Sequence, residues 1–237
     1  MDAARALRHE RARRMWQLYY FPLCPFSRKV RLALSEKGVG YDLRRETPWD
    51  ASDAFYSYNP AGRTPVLRLE EKNLTLIDSQ AICEFFEETV DKSPLILGTA
   101  VGRAEIRRLT ALFDESFFAD VTHPLMHEKM KKRLVLKQSP DSTSLRKAMR
   151  LAHEHLDYID WLTDNRRWLA GAQLSLADFA AAAQISVAEY LGGIDWSGHD
   201  EAHGWYRVMK SRPSFRPLLT EKMEGIPAPA GYSDPNS

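Results

Sequence analysis

The stretch Leu18-Tyr-Tyr-Phe-Pro-Leu-Cys-Pro-Phe-Ser-Arg-Lys-Val-Arg-Leu-Ala-Leu-Ser-Glu-Lys-Gly38 decides how this chain folds. Trp16 to Phe21 is aromatic and β-prone, Pro22 closes the run, and Val30, Ala33, Leu34 and Lys37 then recur at helical spacing until Gly38. This predicts a strand, a tight turn and a helix, with Cys24 at the helix mouth. Pro25 suits the first helical position, where its missing N–H would have had no partner, so Cys24 lies beside the free amides of the first turn. The positive end of the helix dipole, with Arg28 close by in sequence, favours a thiolate there and makes Cys24 a candidate reactive residue. Ser27 stands where a Cys-x-x-Cys motif would carry its second cysteine. No internal disulfide can close, so redox chemistry would need an outside thiol such as glutathione. The competing reading is a buried strand-turn-helix with an inert cysteine, since Cys is among the most buried residue types.

The whole chain has the composition of a soluble globular protein. Its 237 residues are 44% hydrophobic and 27% charged, which leaves room for a smaller and a larger domain around sizeable cores. Thirty-three basic residues against 32 acidic ones give no electrostatic reason to expect nucleic acid or an anionic membrane as main partner. No apolar run reaches spanning length and no secretory signal is present. Two cysteines do not suggest a disulfide framework, and the expected address is cytoplasmic. Residues 1–15 hold five arginines and few large apolar residues, so they are expected to form a flexible arm, with Met15 as an alternative start.

Past the first helix, Tyr41 to Arg45 alternates as a half-buried strand does. Thr47-Pro-Trp49 breaks the pattern, and Trp49 in a polar loop is either an exposed interface anchor or folded back on its own loop. Val66–Leu69 and Leu74–Ile77 flank Glu70-Glu-Lys-Asn73 as a hairpin, and Thr64-Pro65 just before it is a candidate cis bond. Ile82, Phe85 and Phe86 make the apolar face of a helix beginning at Asp78-Ser79, whose free amides suit a carboxylate, although Asp and Ser are also common N-caps. Cys83 within it reads as core filler. Asp91 to Thr99, with Pro94 and Gly98, reads as an interdomain linker, and helical periodicity then takes over. Ile106, Leu109, Phe113 and Phe117 form one stripe, and Pro124 is expected to interrupt or kink it near His123. Leu145, Ala148, Met149, Ala152, Leu156, Ile159 and Leu162 form the next. Lys129, Lys131, Lys132 and Arg133 read as a solvated face. Ser175 and Asp178 make a capping box ahead of the small-residue run Ala180–Ala183, a folding device with no chemistry assigned. After Gly225 the chain is rich in breakers and is expected to be an extended tail.

Cys24-Pro-Phe-Ser27, Asn59-Pro-Ala-Gly-Arg-Thr-Pro-Val-Leu67, Asp78-Ser79 and the Ser175/Asp178 box together resemble the glutathione transferases, nearest to the cysteine type. The resemblance covers about residues 16–237. It implies an α/β thioredoxin-like domain over 16–92, a linker over 93–98, an all-α helical-bundle domain over 99–222 and a tail over 223–237. It also implies a homodimer, and glutathione as co-substrate or ligand with no metal. Arg63, Thr64, Pro65, Asp78 and Ser79 would bind glutathione: Thr64 would pair with its cysteinyl backbone, and Asp78 and Ser79 would hold its γ-glutamyl group. Asp78 is one methylene shorter than the family's usual Glu. Cys24 would attack a mixed disulfide or a small electrophile, or Ser27 would orient the glutathione thiolate, with the electrophile near Phe113, Phe117 and Trp196. Trp168-Leu-Ala-Gly171, Lys210 to Leu219, the Gly225-Ile-Pro-Ala-Pro229 stretch and Tyr232 narrow the resemblance to the family's alphaproteobacterial cell-division subgroup, which binds FtsZ filaments. Thr47-Pro-Trp49 falls at that subgroup's partner-facing Pro-Trp pair, which implies a partner role for Trp49. The ending Asp234-Pro-Asn-Ser237 is more polar than the subgroup's acidic-aromatic one.

Overall fold

The computed structural model describes residues 15–236, so the arm expected over residues 1–15 lies, but for Met15, outside the described residues. The chain divides into two compact units, the first running to Ser93 and the second starting at Pro94.

The first unit is built on a four-stranded sheet in the order β2-β1-β3-β4. β1 (Trp16–Tyr20) and β2 (Tyr41–Arg45) run parallel, with Trp16 opposite Tyr41 and Tyr20 opposite Arg45. Parallel neighbours need a crossover, and α1 (Pro25–Lys37) supplies it. Gly38 ends that helix at φ +70°, a conformation open to glycine at little cost, and sends its N–H back to the Leu34 and Ser35 carbonyls. β3 (Val66–Leu69) lies antiparallel to β1, and β4 (Leu74–Ile77) completes the expected hairpin. Leu18, Val30, Leu34, Val66, Leu67 and Ile82 form the core between the sheet and its helices. α3 (Ser79–Thr89) packs on α1. A salt bridge of 2.7 Å from Lys37 to Glu87 joins the same two helices, and the Lys37 ammonium also donates to the Val90 carbonyl.

One helix has no counterpart in the periodicity. α2 (Asp53–Tyr58) is six residues long and buries only Phe55, so it has no apolar stripe to read. Its signal is the cap: the Ser52 hydroxyl accepts the Phe55 amide.

The second unit is helical. α4 (Ala100–Ala111) passes without a break into wider π-helical turns over Leu112–Thr122 and Met126–Leu136, on either side of the short α5 (His123–Leu125). Pro124 therefore does not end the helix. It removes one amide, and widened turns on both sides absorb the mismatch. α6 (Ser142–Asp164) buries Ala148, Ala152, Leu156, Ile159 and Leu162. Met149, expected in that stripe, is 37% exposed because it sits one residue round the helix from Ala148. α7 (Leu176–Tyr190) is buried along its length apart from Glu189, as its run of alanines allows. α8 (Asp200–Ser211) and α9 (Arg216–Leu219) complete the unit.

The capping box forms the centre of this unit. One Asp178 oxygen accepts from the Ser175 amide and hydroxyl, both at 2.9 Å, and the other from the Leu169 amide at 2.9 Å and the Trp205 indole at 3.0 Å. Burial pushes the Asp178 carboxyl above its ordinary range, and these four donors oppose the shift. The basic residues after Pro124 are not simply solvated: Lys129 donates to the Leu191 and Gly192 carbonyls past the end of α7, and Lys132 pairs with Glu128. The segment after Gly225 is irregular, yet it lies against the unit. Ile226 and Tyr232 are buried, the Tyr190 hydroxyl donates to the Ile226 carbonyl and accepts the Met223 amide, and the Tyr190 and Tyr232 rings meet edge-on at 5.0 Å.

Candidate functional site

The site in the first unit forms where the turn after β1 meets the loop before β3. Cys24 is the N-cap of α1, with extended backbone angles and a sulfur that accepts the Ser27 amide at 3.5 Å. Its thiol donates to the Thr64 carbonyl at 3.4 Å, joining residues 40 apart in the chain. Two further bonds hold the turn: the Cys24 amide donates to the Phe21 carbonyl, and the Arg28 Nε donates to the Pro22 carbonyl from inside the unit. Cys24 keeps 8% of its surface exposed. Ser27 keeps none, and its hydroxyl has no hydrogen-bond partner. Of the two residues expected to carry chemistry, Ser27 is the more deeply buried and Cys24 keeps a small exposed surface.

The Thr64-Pro65 bond is cis. The loop before it is organised by Asn59, the first residue of the Asn59–Leu67 motif. Its side-chain amide donates to the Arg63 carbonyl at 2.7 Å, and its oxygen accepts the Ala61 amide at 3.1 Å. Gly62 adopts φ +62°, and a β-carbon there would lie 2.6 Å from the Tyr56 ring. The signal was present in Asn59-Pro-Ala-Gly62, whose Asn and Gly are turn residues with a defined job. Arg63 is exposed and Thr64 is buried.

Asp78 is the N-cap of α3 and holds φ +78°, ψ 132°, well outside the left-handed helical region. A non-glycine residue in such a place costs about 1–3 kcal/mol and persists where its surroundings over-determine it, commonly at binding sites. Its Oδ1 accepts both the Gln80 amide (2.8 Å) and the Ala81 amide (3.0 Å). These are the amides that, from the sequence, suit a ligand carboxylate. The short aspartate side chain reaches them itself, and Ser79 beside it is buried.

Trp49 is half-buried, and its ring packs edge-on against Phe21 with centroids 5.4 Å apart. Of the two readings, an exposed anchor or a ring folded back on its own loop, neither describes it fully: the half-buried ring rests on the turn leading to Cys24. In the second unit Phe113 and Phe117 have no exposed surface; they pack on each other, and Phe117 packs on His155. Trp196 stacks on His203 and Tyr206. The two phenylalanines are core residues and do not line a binding surface.

A profile of the glutathione S-transferase N-terminal domain matches residues 23–89, and one of the C-terminal domain matches residues 122–213. The chain is 43% identical over 219 residues to FtsZ-localized protein A of Caulobacter vibrioides, covering 92% of this chain and 96% of that protein. The solved structure of FzlA from C. crescentus superposes with a TM-score of 0.91 at 42% identity, covering 94% of this chain and all of that one. A glutathione S-transferase from Methylobacillus flagellatus, solved with glutathione bound, superposes at 0.72 with 26% identity, covering 86% and 98% of the two chains. Both halves match in order, and the likeness runs nearly end to end: the chain belongs to the glutathione S-transferase family.

Proposed function

We propose that this protein is a bacterial cell-division factor that binds FtsZ filaments, a cytoplasmic homodimer on a glutathione-transferase scaffold that retains a glutathione site. The observation that carries this is the 43% identity with FtsZ-localized protein A over nearly the full length of both chains. A site that binds without turning over is supported by two features: the Cys24 thiol is engaged by the Thr64 carbonyl, and Ser27 is buried. Among the described residues no helix is long and apolar enough to cross a membrane. Co-sedimentation with polymerised FtsZ from the same organism tests the reading. The protein is expected to pellet with polymer and not with unpolymerised FtsZ, and failure to pellet overturns it.

A second reading is favoured by one observation, the Ser27 amide directed at the Cys24 sulfur. Here Cys24 attacks a mixed disulfide, expels one thiol and is released by a second glutathione, or the site transfers glutathione to a small electrophile. The residues present fit glutathione. Thr64 and Pro65 would take its cysteinyl backbone, Asp78 its ammonium, Ser79 its γ-glutamyl carboxylate and the exposed Arg63 its glycyl carboxylate. Retention on immobilised glutathione together with turnover lost in Cys24→Ser would support this reading, and turnover unchanged in Cys24→Ser would exclude it.

A further inference from the structure

Far along the sequence from that site, α6 carries His153, Asp157 and Asp160 at spacings of four and three, so the three share one face of the helix. His199, the residue that precedes α8, lies against this face. Its Nδ1 is 2.7 Å from Asp160 Oδ2 and 3.6 Å from Asp157 Oδ1, and its Nε2 is 2.9 Å from His153 Nδ1. The remaining Asp160 oxygen accepts the Ala202 amide at 2.7 Å. The His199 ring is 96% buried by its residue exposure of 4%, whereas the Asp157 side chain is 74% exposed.

One imidazole nitrogen carries at most one proton, so it can serve only one of two carboxylates. Here two converge on it, and an atom from each of Asp157, Asp160 and His199 lies within 4.8 Å of the others. The adjoining open depression, of about 540 Å³, is lined by Asp157, Asp160, Asp164, Asp200 and Glu201, with no lysine or arginine in its wall. A hydrogen-bonded Asp160-His199-His153 chain would account for Asp160. It does not involve Asp157, whose carboxylate lies 3.6 Å from the same His199 nitrogen.

We propose that Asp157, Asp160 and His199 form a binding site for a divalent transition-metal ion of the zinc type, with His153 holding the His199 ring from behind. One imidazole and two carboxylates suit zinc better than calcium or magnesium, which take oxygen alone. Tetrahedral zinc bonds of about 2.0–2.2 Å put ligand atoms about 3.4 Å apart, so the Asp157 distance already fits and Asp160 must withdraw by less than 1 Å. The fourth position goes to water from the depression. Metal binding requires a lone pair on Nδ1, so the ring proton sits on Nε2 and is donated to His153 Nδ1, a second contact that fixes the ring for the metal. Through Asp160 the ion would tie α6 to the first turn of α8. Nothing in this site depends on glutathione or on FtsZ.

The test is calorimetric titration of chelator-treated, full-length protein with zinc chloride, paired with thermal melts. In a Cys24→Ser background, which removes the less buried of the two thiols, one ion per chain is expected, with a rise in melting temperature. Asp157→Asn should weaken binding at least about tenfold while leaving the metal-free melting temperature alone, because its side chain is exposed. His199→Gln should abolish binding, and Asp164→Asn should leave it within about twofold. No saturable uptake of zinc, or an Asp157→Asn protein that binds as tightly as its parent, would overturn the proposal.

Discussion

The ring of Trp49 rests on the ring of Phe21, with centroids 5.4 Å and planes 73° apart, and the Phe21 carbonyl in turn holds the Cys24 amide. The loop proposed to meet a partner and the turn that carries the thiol are therefore one packed cluster. Trp49→Ala is expected to weaken co-sedimentation with FtsZ by about thirtyfold, the equivalent of about 2 kcal/mol, and also to lower the melting temperature. Trp49→Phe keeps the edge contact, so it should melt like the parent while still binding FtsZ less well. An alanine variant that pellets normally would place the anchor elsewhere.

Asp78 separates two jobs that usually coincide. Asp78→Asn keeps an oxygen for the Gln80 and Ala81 amides and a residue type tolerant of positive φ, but it removes the charge. The melting temperature should hold, and glutathione affinity measured by calorimetry should fall about tenfold, as expected for the loss of a charged hydrogen bond. Equal affinity in the two proteins would mean that the carboxylate serves only its helix.

The two cysteines should differ in reactivity. Cys24 keeps 8% of its surface and Cys83 keeps 3%, inside α3. Iodoacetamide followed by peptide mass spectrometry should find Cys24 modified first, with Cys83 following only as the protein unfolds. Equal labelling of the two in the folded protein would contradict the packing described.

The legible parts of this fold are those where a local pattern and the tertiary environment agree. Trp16 to Gly38 could be read because an aromatic strand, a Pro at the first helical position and a Gly at the last each act through their own backbone chemistry. The Ser175/Asp178 box could be read for the same reason. α2 was missed because six residues with one buried Phe55 have no period. Met149 was misplaced because the stripe on α6 drifts, and one residue of drift turns a side chain out to water. At the site, residue types pointed to Cys24, Thr64 and Asp78, but not to what occupies their atoms. That Asp78 turns back on its own amides depends on the length of one side chain and on a φ that no pattern announces.

Asp178 should be indispensable for folding. It collects four hydrogen bonds from Leu169, Ser175 and Trp205, so Asp178→Ala orphans buried donors in three segments and should cost about 3–5 kcal/mol in urea denaturation. Asp178→Asn should do little better, because its amide hydrogens would face the Ser175 donors.

Glu189 offers a pH-dependent test. Burial raises its carboxyl above the ordinary value, and the Lys210 charge is the foremost opposing influence. A carboxyl raised by folding adds stability below its unfolded value, and that contribution fades as pH climbs through the folded value. Removing Lys210 raises the folded value further. Lys210→Met should therefore cost about 3–5 kcal/mol near neutral pH and above, and clearly less at about pH 5, as read from denaturant midpoints. A penalty independent of pH would show that Lys210 acts through packing alone.

Tyr190 holds the last part of the chain with a single oxygen that gives to Ile226 and receives from Met223, and Tyr232 closes over it with its own hydroxyl aimed at the Leu218 carbonyl. Deletions at this end will therefore report on two different things. Removing the residues after Tyr232 takes away a turn with no buried side chain among the described residues and leaves the helices as they were. Cutting ahead of Tyr232 uncovers an aromatic socket, so any phenotype mixes a lost contact with a newly sticky surface. Tyr232→Ala in the intact chain is the comparison that tells the two apart.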